Sequence, residues 1–327
     1  MESYLEAWKK STRETLAEPR VKEFMASLFK AGFNFSIDST VAEIDQHTRE
    51  YALNWAAVAE KHASAGLYRK ISDFAGAMDG LYLDLGCGAG QLLCALPQGL
   101  KLIGIDINPY SLQIAEENLR NSGKKVERHS GTRIGFLPSN GLVVRAEALM
   151  QDLDLGKVQL ISDDLRDVGN TMRALYNRGI KADGAFFTLA GGHSAQRAGE
   201  IISAMKYHVT GKDPNAVESL GDIIDPVLKN IPYIVRRGGH VYVAIRGGAF
   251  GPNLEAGVLS LEEHIGDNYK GKLEVAREIA IPMISERSEN GISISHHTTE
   301  GGELPEDVKK HIESAQYQLN LSEIKVK

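Results

Sequence analysis

Three glycines at alternate positions, Gly86, Gly88 and Gly90, follow Asp84 in the segment LYLDLGCGAG. Missing side chains let a backbone turn tightly and expose its amides to an approaching ligand, and the start of a following helix adds partial positive charge. The loop therefore points to a ligand that contains a nucleotide. Other groups with chemical potential stand at the ends of later apolar runs: Asp106 in KLIGIDI, Asp163 and Asp164 after VQLI, and His193 after Gly191-Gly192. The two cysteines, Cys87 and Cys94, lie in or beside the loop, which indicates neither a disulfide framework nor a metal cluster. His296 and His297 are adjacent in a segment that alternates like a strand, so their rings point to opposite faces and do not share a metal. No other spacing of His, Cys, Asp and Glu suggests zinc.

These residues need a scaffold that brings strand ends together. LYLDL reads as a short strand, QLLCAL as a helix stopped by Pro97-Gln98-Gly99, and KLIGIDI as a second strand. Asn108-Pro109 opens the next helix, because Asn caps free amides and Pro suits the first helical position. Leu112, Ala115 and Leu119 share a face of that helix, and Gly123 closes it. VQLIS, ADGAFFTLA and HVYVAI read as further strands, with helices in TMRALYNRG, from about 194 to 208, and through VLKNIPYIV. This alternation predicts an α/β fold, a mostly parallel sheet with helices on both faces.

Residues 1–78 place Val21, Phe24, Met25 and Leu28, then Tyr51, Leu53, Ala56, Ala57 and Val58, at helical spacing around a turn at AGFNFSIDST. They are expected to form an N-terminal helical cap on an α/β domain over 79–327. Residues from about 124 to 156 break the rhythm and read as an insertion. LEVAREIAI and GISISHH flank Asn290-Gly291, a pair suited to a tight turn, and predict an antiparallel hairpin over about 272–299 at the sheet edge.

With 43% hydrophobic and 24% charged residues, the 327-residue chain can bury a sizeable core, which excludes disordered and fibrous classes. A net charge of -6 gives no overall attraction to nucleic acid or to an anionic membrane. No run approaches the roughly 18 apolar residues of a membrane helix, and the N-terminus lacks the apolar stretch of a signal peptide. A cytoplasmic protein is expected.

In the dinucleotide fingerprint the third glycine follows the second by three residues; here the spacing is two throughout. DLGCGAG instead resembles motif I of the class I, Rossmann-like S-adenosylmethionine-dependent methyltransferases. Asp106 in GIDIN, Asp164 in ISDDLRD and the entry RRGGHVYVAI are similar to the family's second, third and fifth strand regions, so the resemblance covers roughly residues 80–246 in order. It implies S-adenosylmethionine as cofactor and S-adenosylhomocysteine as product. It also implies that Asp84, Gly86, Cys87, Gly88 and Gly90 surround the methionine part of the cofactor, that Asp106 accepts hydrogen bonds from both ribose hydroxyls through its two oxygens, and that Ile107 packs on the adenine. Asp164, or its neighbour Asp163, would accept from the adenine amino group, with Leu165 and Leu189 as further contacts.

TLAGGH stands where amino-group methyltransferases acting on bases or glutamine carry Asn/Asp-Pro-Pro-Tyr/Phe, a departure that argues against those branches. Transfer from a sulfonium needs an aligned nucleophile more than a base. If the acceptor carries a proton, His193 is the candidate to take it. Tyr51, Trp55 and Tyr68 are candidates to line a lid, and Arg246 to meet an anionic group. The reading is a small-molecule methyltransferase acting on an O, N or C nucleophile. The alternatives are an RNA or protein methyltransferase, for which KKVERHSGTR offers a basic run, an aminopropyl transferase, a cofactor-binding protein without catalysis, and a nicotinamide dehydrogenase.

Overall fold

A computed structural model of the chain describes residues 4–19, 21–22, 36–129, 132–137, 141–146, 153–165, 170–188, 220–246, 261–282, 287–288, 291–292 and 318–327. The strands in chain order are β1 (Leu81–Leu85), β2 (Lys101–Asp106), β3 (Val126–Arg128), β4 (Thr132–Leu137), β5 (Gly141–Ala146), β6 (Val158–Ser162), β7 (Ala182–Thr188), β8 (Val235–Arg246), β9 (Leu273–Pro282), β10 (Arg287–Ser288), β11 (Gly291–Ile292) and β12 (Gln318–Val326). The helices are α1 (Tyr4–Ala17), α2 (Ile37–Ser64), α3 (Leu67–Ala75), α4 (Gln91–Ala95), α5 (Pro109–Asn121), α6 (Asn170–Asn177), α7 (Leu220–Ile234) and α8 (Leu261–Asn268).

An eight-stranded sheet runs β3-β6-β2-β1-β7-β8-β12-β9. Its first six strands pair in parallel. β12 is antiparallel to both neighbours. Period-two alternation sorts the strand residues between two helical layers. Leu81, Leu83 and Leu85 of β1 pack with Leu175 of α6, Val227, Leu228 and Ile231 of α7 and Ile265 of α8. Tyr82, on the opposite face, packs with Ile71 and Phe74 of α3, Leu92 and Leu93 of α4, and Leu112 and Leu119 of α5. Every β1 residue is buried, as a central parallel strand covered on both faces must be. Asp84 shares the parity of Tyr82 and so belongs to the α3–α5 side.

From β1 the chain winds outward through β2 to β6, then returns to build β7 and β8 on the other flank. Such a reversal leaves a crevice at the carboxyl ends of the two strands that meet there, where open α/β sheets bind ligands. Here those strands are β1 and β7. The N-terminal helices sit beside it. Ser36 caps α2, α1 packs on α2 and on β4, and α2 packs on α5.

Two segments that stood apart in the sequence contribute strands. The segment read as an insertion from about 124 includes β3, which joins the main sheet beside β6; the departure begins only with the β4–β5 hairpin, a separate two-stranded sheet. Val126-Glu127-Arg128 carries no apolar run because an edge strand needs backbone pairing and little burial. The C-terminal pairing also differs. β9 pairs along its length with β12, and among the described residues Gly291–Ile292 pairs with Arg287–Ser288. QLNLSEIKV reads as polar, yet Leu319, Leu321, Ile324 and Val326 are all buried, and so are Ser322 and Glu323. Glu323 tolerates burial because His240 Nδ1 lies 2.6 Å from one of its oxygens and Arg277 engages the other.

Candidate active site

The glycine loop leaves β1 and closes on the neighbouring strand. The amides of Gly86 and Cys87 donate to the Ile105 carbonyl at 2.8 and 3.0 Å, Gly90 donates to the Cys87 carbonyl at 2.8 Å, and Gly88 donates to Asp106 Oδ2 at 2.8 Å. Gly88 and Gly90 have φ of +51° and +74°, a region open to glycine at little cost. A Cβ on Gly90 would also stand 3.0 Å from Cβ of Ala115, so this glycine admits α5 against the loop. The expectation that the loop turns its amides toward the ligand therefore changes. These four are spent inside the protein, and α4 behind them has only five residues. A pyrophosphate would find few donors here and a carboxylate facing it. A ligand that is cationic at this point suits the loop better.

Asp84 is that carboxylate. It is 1% exposed, and among the described residues neither oxygen has a hydrogen-bond partner. Burial first, and the negative charge of Asp106 second, push its pKa up to about 8. A buried acceptor pair left unmatched is costly and calls for a donor. The ammonium of an amino-acid moiety would satisfy it. Asp106, half-buried at the end of β2, uses Oδ2 for Gly88 and Oδ1 for the amide of Asn108 at 2.8 Å. Burial raises its pKa, against the lowering effect of the amides of Asn108, Gly88 and Ile107. Each carboxylate oxygen has two lone pairs, so backbone donors fix the carboxylate while acceptor capacity remains for a ligand hydroxyl. Ile107 follows at the bend before α5.

Of the two acids after β6, Asp163 has a structural task. Asp163 Oδ2 accepts from the amide and the hydroxyl of Thr171 at 2.8 and 2.5 Å, and Asp163 Oδ1 accepts from the amide of Asp164. Asp163 thus secures the first turn of α6. Asp164 is also buried, at 2% exposure, with Leu165 next to it at intermediate burial.

A small cleft lies beside the loop, lined by Trp55, Ala59, Tyr68, Asp84, Gly86, Cys87, Ala89, Gln91, Leu92 and Thr188. Of the candidate lid aromatics, Trp55 and Tyr68 reach it; Tyr51, one turn earlier on α2, is not among its lining residues. Burial pushes the Cys87 thiol well up, with Asp106 and Asp84 adding to the effect, so the thiol stays protonated. Cys94, half-buried on α4, is raised by burial as well. Thr188, Gln91 and Ala59 went unnoticed in the sequence. Only Thr188 had a signal, as the last residue of the strand beside β1. His193, Leu189, His296, His297 and the Arg246 side chain lie outside the described residues. Among the described residues no group of acids, histidines and cysteines is arranged to hold a metal, and no helix is long and apolar enough to cross a membrane.

A family model described as a methyltransferase domain matches residues 79–135, the stretch from the entry to β1 into β4. No curated protein matches the chain in sequence. Solved structures with a similar arrangement include YjhP from E. coli, 13% identical, with 80% of this chain and 91% of that one covered at a TM-score of 0.42. A TehB-like SAM-dependent methyltransferase from Corynebacterium glutamicum is 14% identical, covering 85% of this chain and 99% of its own at a TM-score of 0.41. The N-methyltransferase NodS from Bradyrhizobium japonicum is 11% identical, covering 82% and 94% at a TM-score of 0.38. The matched segment, which holds the glycine loop and Asp106, is thus similar to a methyltransferase domain, and it lies within a mostly parallel, Rossmann-like sheet.

Proposed function

We propose that the chain is a class I, S-adenosylmethionine-dependent methyltransferase that methylates an O, N or C nucleophile of a small molecule. The observation that carries this reading is the roof of the cleft: Trp55 and Ala59 from α2 and Tyr68 from α3 stand over the glycine loop. A roof with two aromatic rings suits a compact acceptor with apolar surface, whereas an RNA would need an open, basic groove. The net charge of -6 favours the same choice.

When bound, S-adenosylmethionine supplies a methyl group on a positively charged sulfur that is already activated for transfer. The residues present fit it. Asp84 offers two unmatched acceptors to its ammonium, Asp106 is held rigid with acceptor capacity toward ribose hydroxyls, and Asp164 and Leu165 close the β6 end toward the base. The loop, with the amides of Gly86, Cys87, Gly88 and Gly90 turned inward, presents few donors to the sulfonium. For an acceptor that must lose a proton, His193 is the proposed base. The test is turnover of labelled S-adenosylmethionine by the purified protein against fractionated extract. Label entering the small-molecule fraction supports the reading, and label entering only RNA or protein refutes it.

A further inference from the structure

The two stretches that lead into β7 and β8 gather positive charge in a chain whose net charge is -6. Residues 170–181 hold Arg173, Arg178 and Lys181 and no acid, and residues 226–240 hold Lys229, Arg236 and Arg237 and no acid. All of these basic residues are exposed. The fold brings the two stretches together. Tyr176 of α6 and Tyr233 of α7 meet edge to face with ring centroids 6.2 Å apart, yet the two residues are 54% and 53% exposed. Arg173 stands one helical turn before Tyr176, and Lys229 one turn before Tyr233, so each cation shares the stripe of its ring. Beyond the helices, Ala182 of β7 pairs with Val235 of β8, which sets Lys181 beside Arg236 and Arg237. Arg236 pairs with Asp183 at 2.6 Å, and Asp183 also accepts from the Leu81 amide at 2.7 Å. Among the described residues the other five cations have no acidic partner.

Exposed aromatic rings flanked by unpaired cations suit one kind of ligand, a single strand whose phosphates meet the cations while its bases stack on the rings. A protein partner would call for an apolar centre from which charge is depleted, and here the cations outnumber the rings. A membrane surface would call for aliphatic or tryptophan side chains beside the cations. Of the exposed large apolar residues described, the aliphatic ones, Leu53 and Ile279, belong to α2 and β9. We propose that the α6–α7 face is a docking surface for a single-stranded nucleic acid. The strand is a partner and not the methyl acceptor. The surface stands at the amino ends of β7 and β8, whereas the cleft takes Thr188 from the carboxyl end of β7, so the length of the strand, about 20 Å, separates them. Exposed charges more than about 8 Å apart are largely screened at physiological salt, so a docked strand meets the local charge and not the net charge. The inference is independent of the small-molecule reading, which stands or falls on where the methyl label goes.

The experiment is fluorescence anisotropy of a labelled oligouridylate of about twelve nucleotides with the full chain and three variants, each checked for folding by circular dichroism. The wild type should bind saturably, and if four cations meet phosphates its affinity should fall about fiftyfold between about 50 and 200 mM salt. Y176A/Y233A should weaken binding by about fivefold to a hundredfold. Y176F/Y233F, which keeps both rings, should bind as the wild type does, and R173E/K229E should abolish binding. No binding by the wild type at low salt overturns the proposal, as does equal affinity in the wild type and Y176A/Y233A. A poly-glutamate peptide or phosphatidylserine vesicles bound as tightly as the oligouridylate also overturn it, since charge alone would then account for the surface.

Discussion

Replacing Asp84 with asparagine should stabilise the empty protein while removing its grip on the donor, and the size of the gain should depend on pH. In the unfolded chain a carboxyl of this kind ionises near 3.9. In the fold, burial and the charge of Asp106 push Asp84 up to about 8. Between these values the folded state keeps a proton that the unfolded state has lost, so stability falls as pH rises. The contribution is fully present below about pH 4 and is gone once pH passes about 8. Each pH unit of separation corresponds to about 1.4 kcal/mol, so the ionised side chain costs the empty fold up to about 6 kcal/mol. Asparagine has nearly the same shape, does not titrate, and leaves the amide in the same unmatched setting as a protonated carboxyl. Urea unfolding of the wild type and D84N should therefore give similar stabilities near pH 4.5 and a gap of at least about 2 kcal/mol in favour of D84N at pH 9. A difference that is the same at both pH values would refute the reasoning, because Asp84 would then not titrate between them.

Other consequences follow from the same geometry. Below pH 8 the donor's ammonium meets a protonated Asp84, so binding should release close to one proton, read from calorimetry in two buffers of different ionisation enthalpy; no buffer dependence at pH 6.5 would contradict this. Gly104→Ala should lower stability by about 1–3 kcal/mol in thermal unfolding. Its Cβ would meet Leu93 at 2.8 Å and both Cys87 and Leu160 at 3.0 Å. Asn108→Ala removes the cap of two α5 amides together with the bond to Thr48; a loss of about 1–2 kcal/mol is expected, with faster hydrogen exchange in α2 than in α7. Asp163→Ala should destabilise α6 by about 1–3 kcal/mol, while Asp164→Asn should weaken donor binding.

The parts of the fold legible in the sequence are those whose physics is local. Strands buried on both faces appear as apolar runs, and Asn108-Pro109 marks a helix start wherever it stands. Glycines at alternate positions demand a tight turn whatever surrounds them. β12 escaped because its neighbours, not its composition, bury it: Glu323 reads as a surface residue until His240 and Arg277 are placed around it. β3 escaped because an edge strand leaves little apolar signature. At the site, spacing marks Asp84 and Asp106 as candidates, but it does not show the inward use of the loop amides, which depends on the Ile105 carbonyl across the β1–β2 pair. Helical spacing in α2 showed a face, and only the docking of Asn108 on Thr48 shows that this face brings Trp55 to Gly88. Asp163 and Asp164 look interchangeable in sequence and are separated by the position of Thr171.

The central claim is that the cleft over Gly86–Gly90 is built for a cationic, amino-acid-bearing nucleoside and not for a pyrophosphate. Calorimetric titration of the purified chain with S-adenosylmethionine and with NAD, alongside D84N and D106A, tests it most directly. Saturable binding of S-adenosylmethionine that both substitutions weaken by tenfold or more, with no heat from NAD, is the predicted result. Saturable binding of NAD, or donor binding indifferent to both substitutions, would contradict the account.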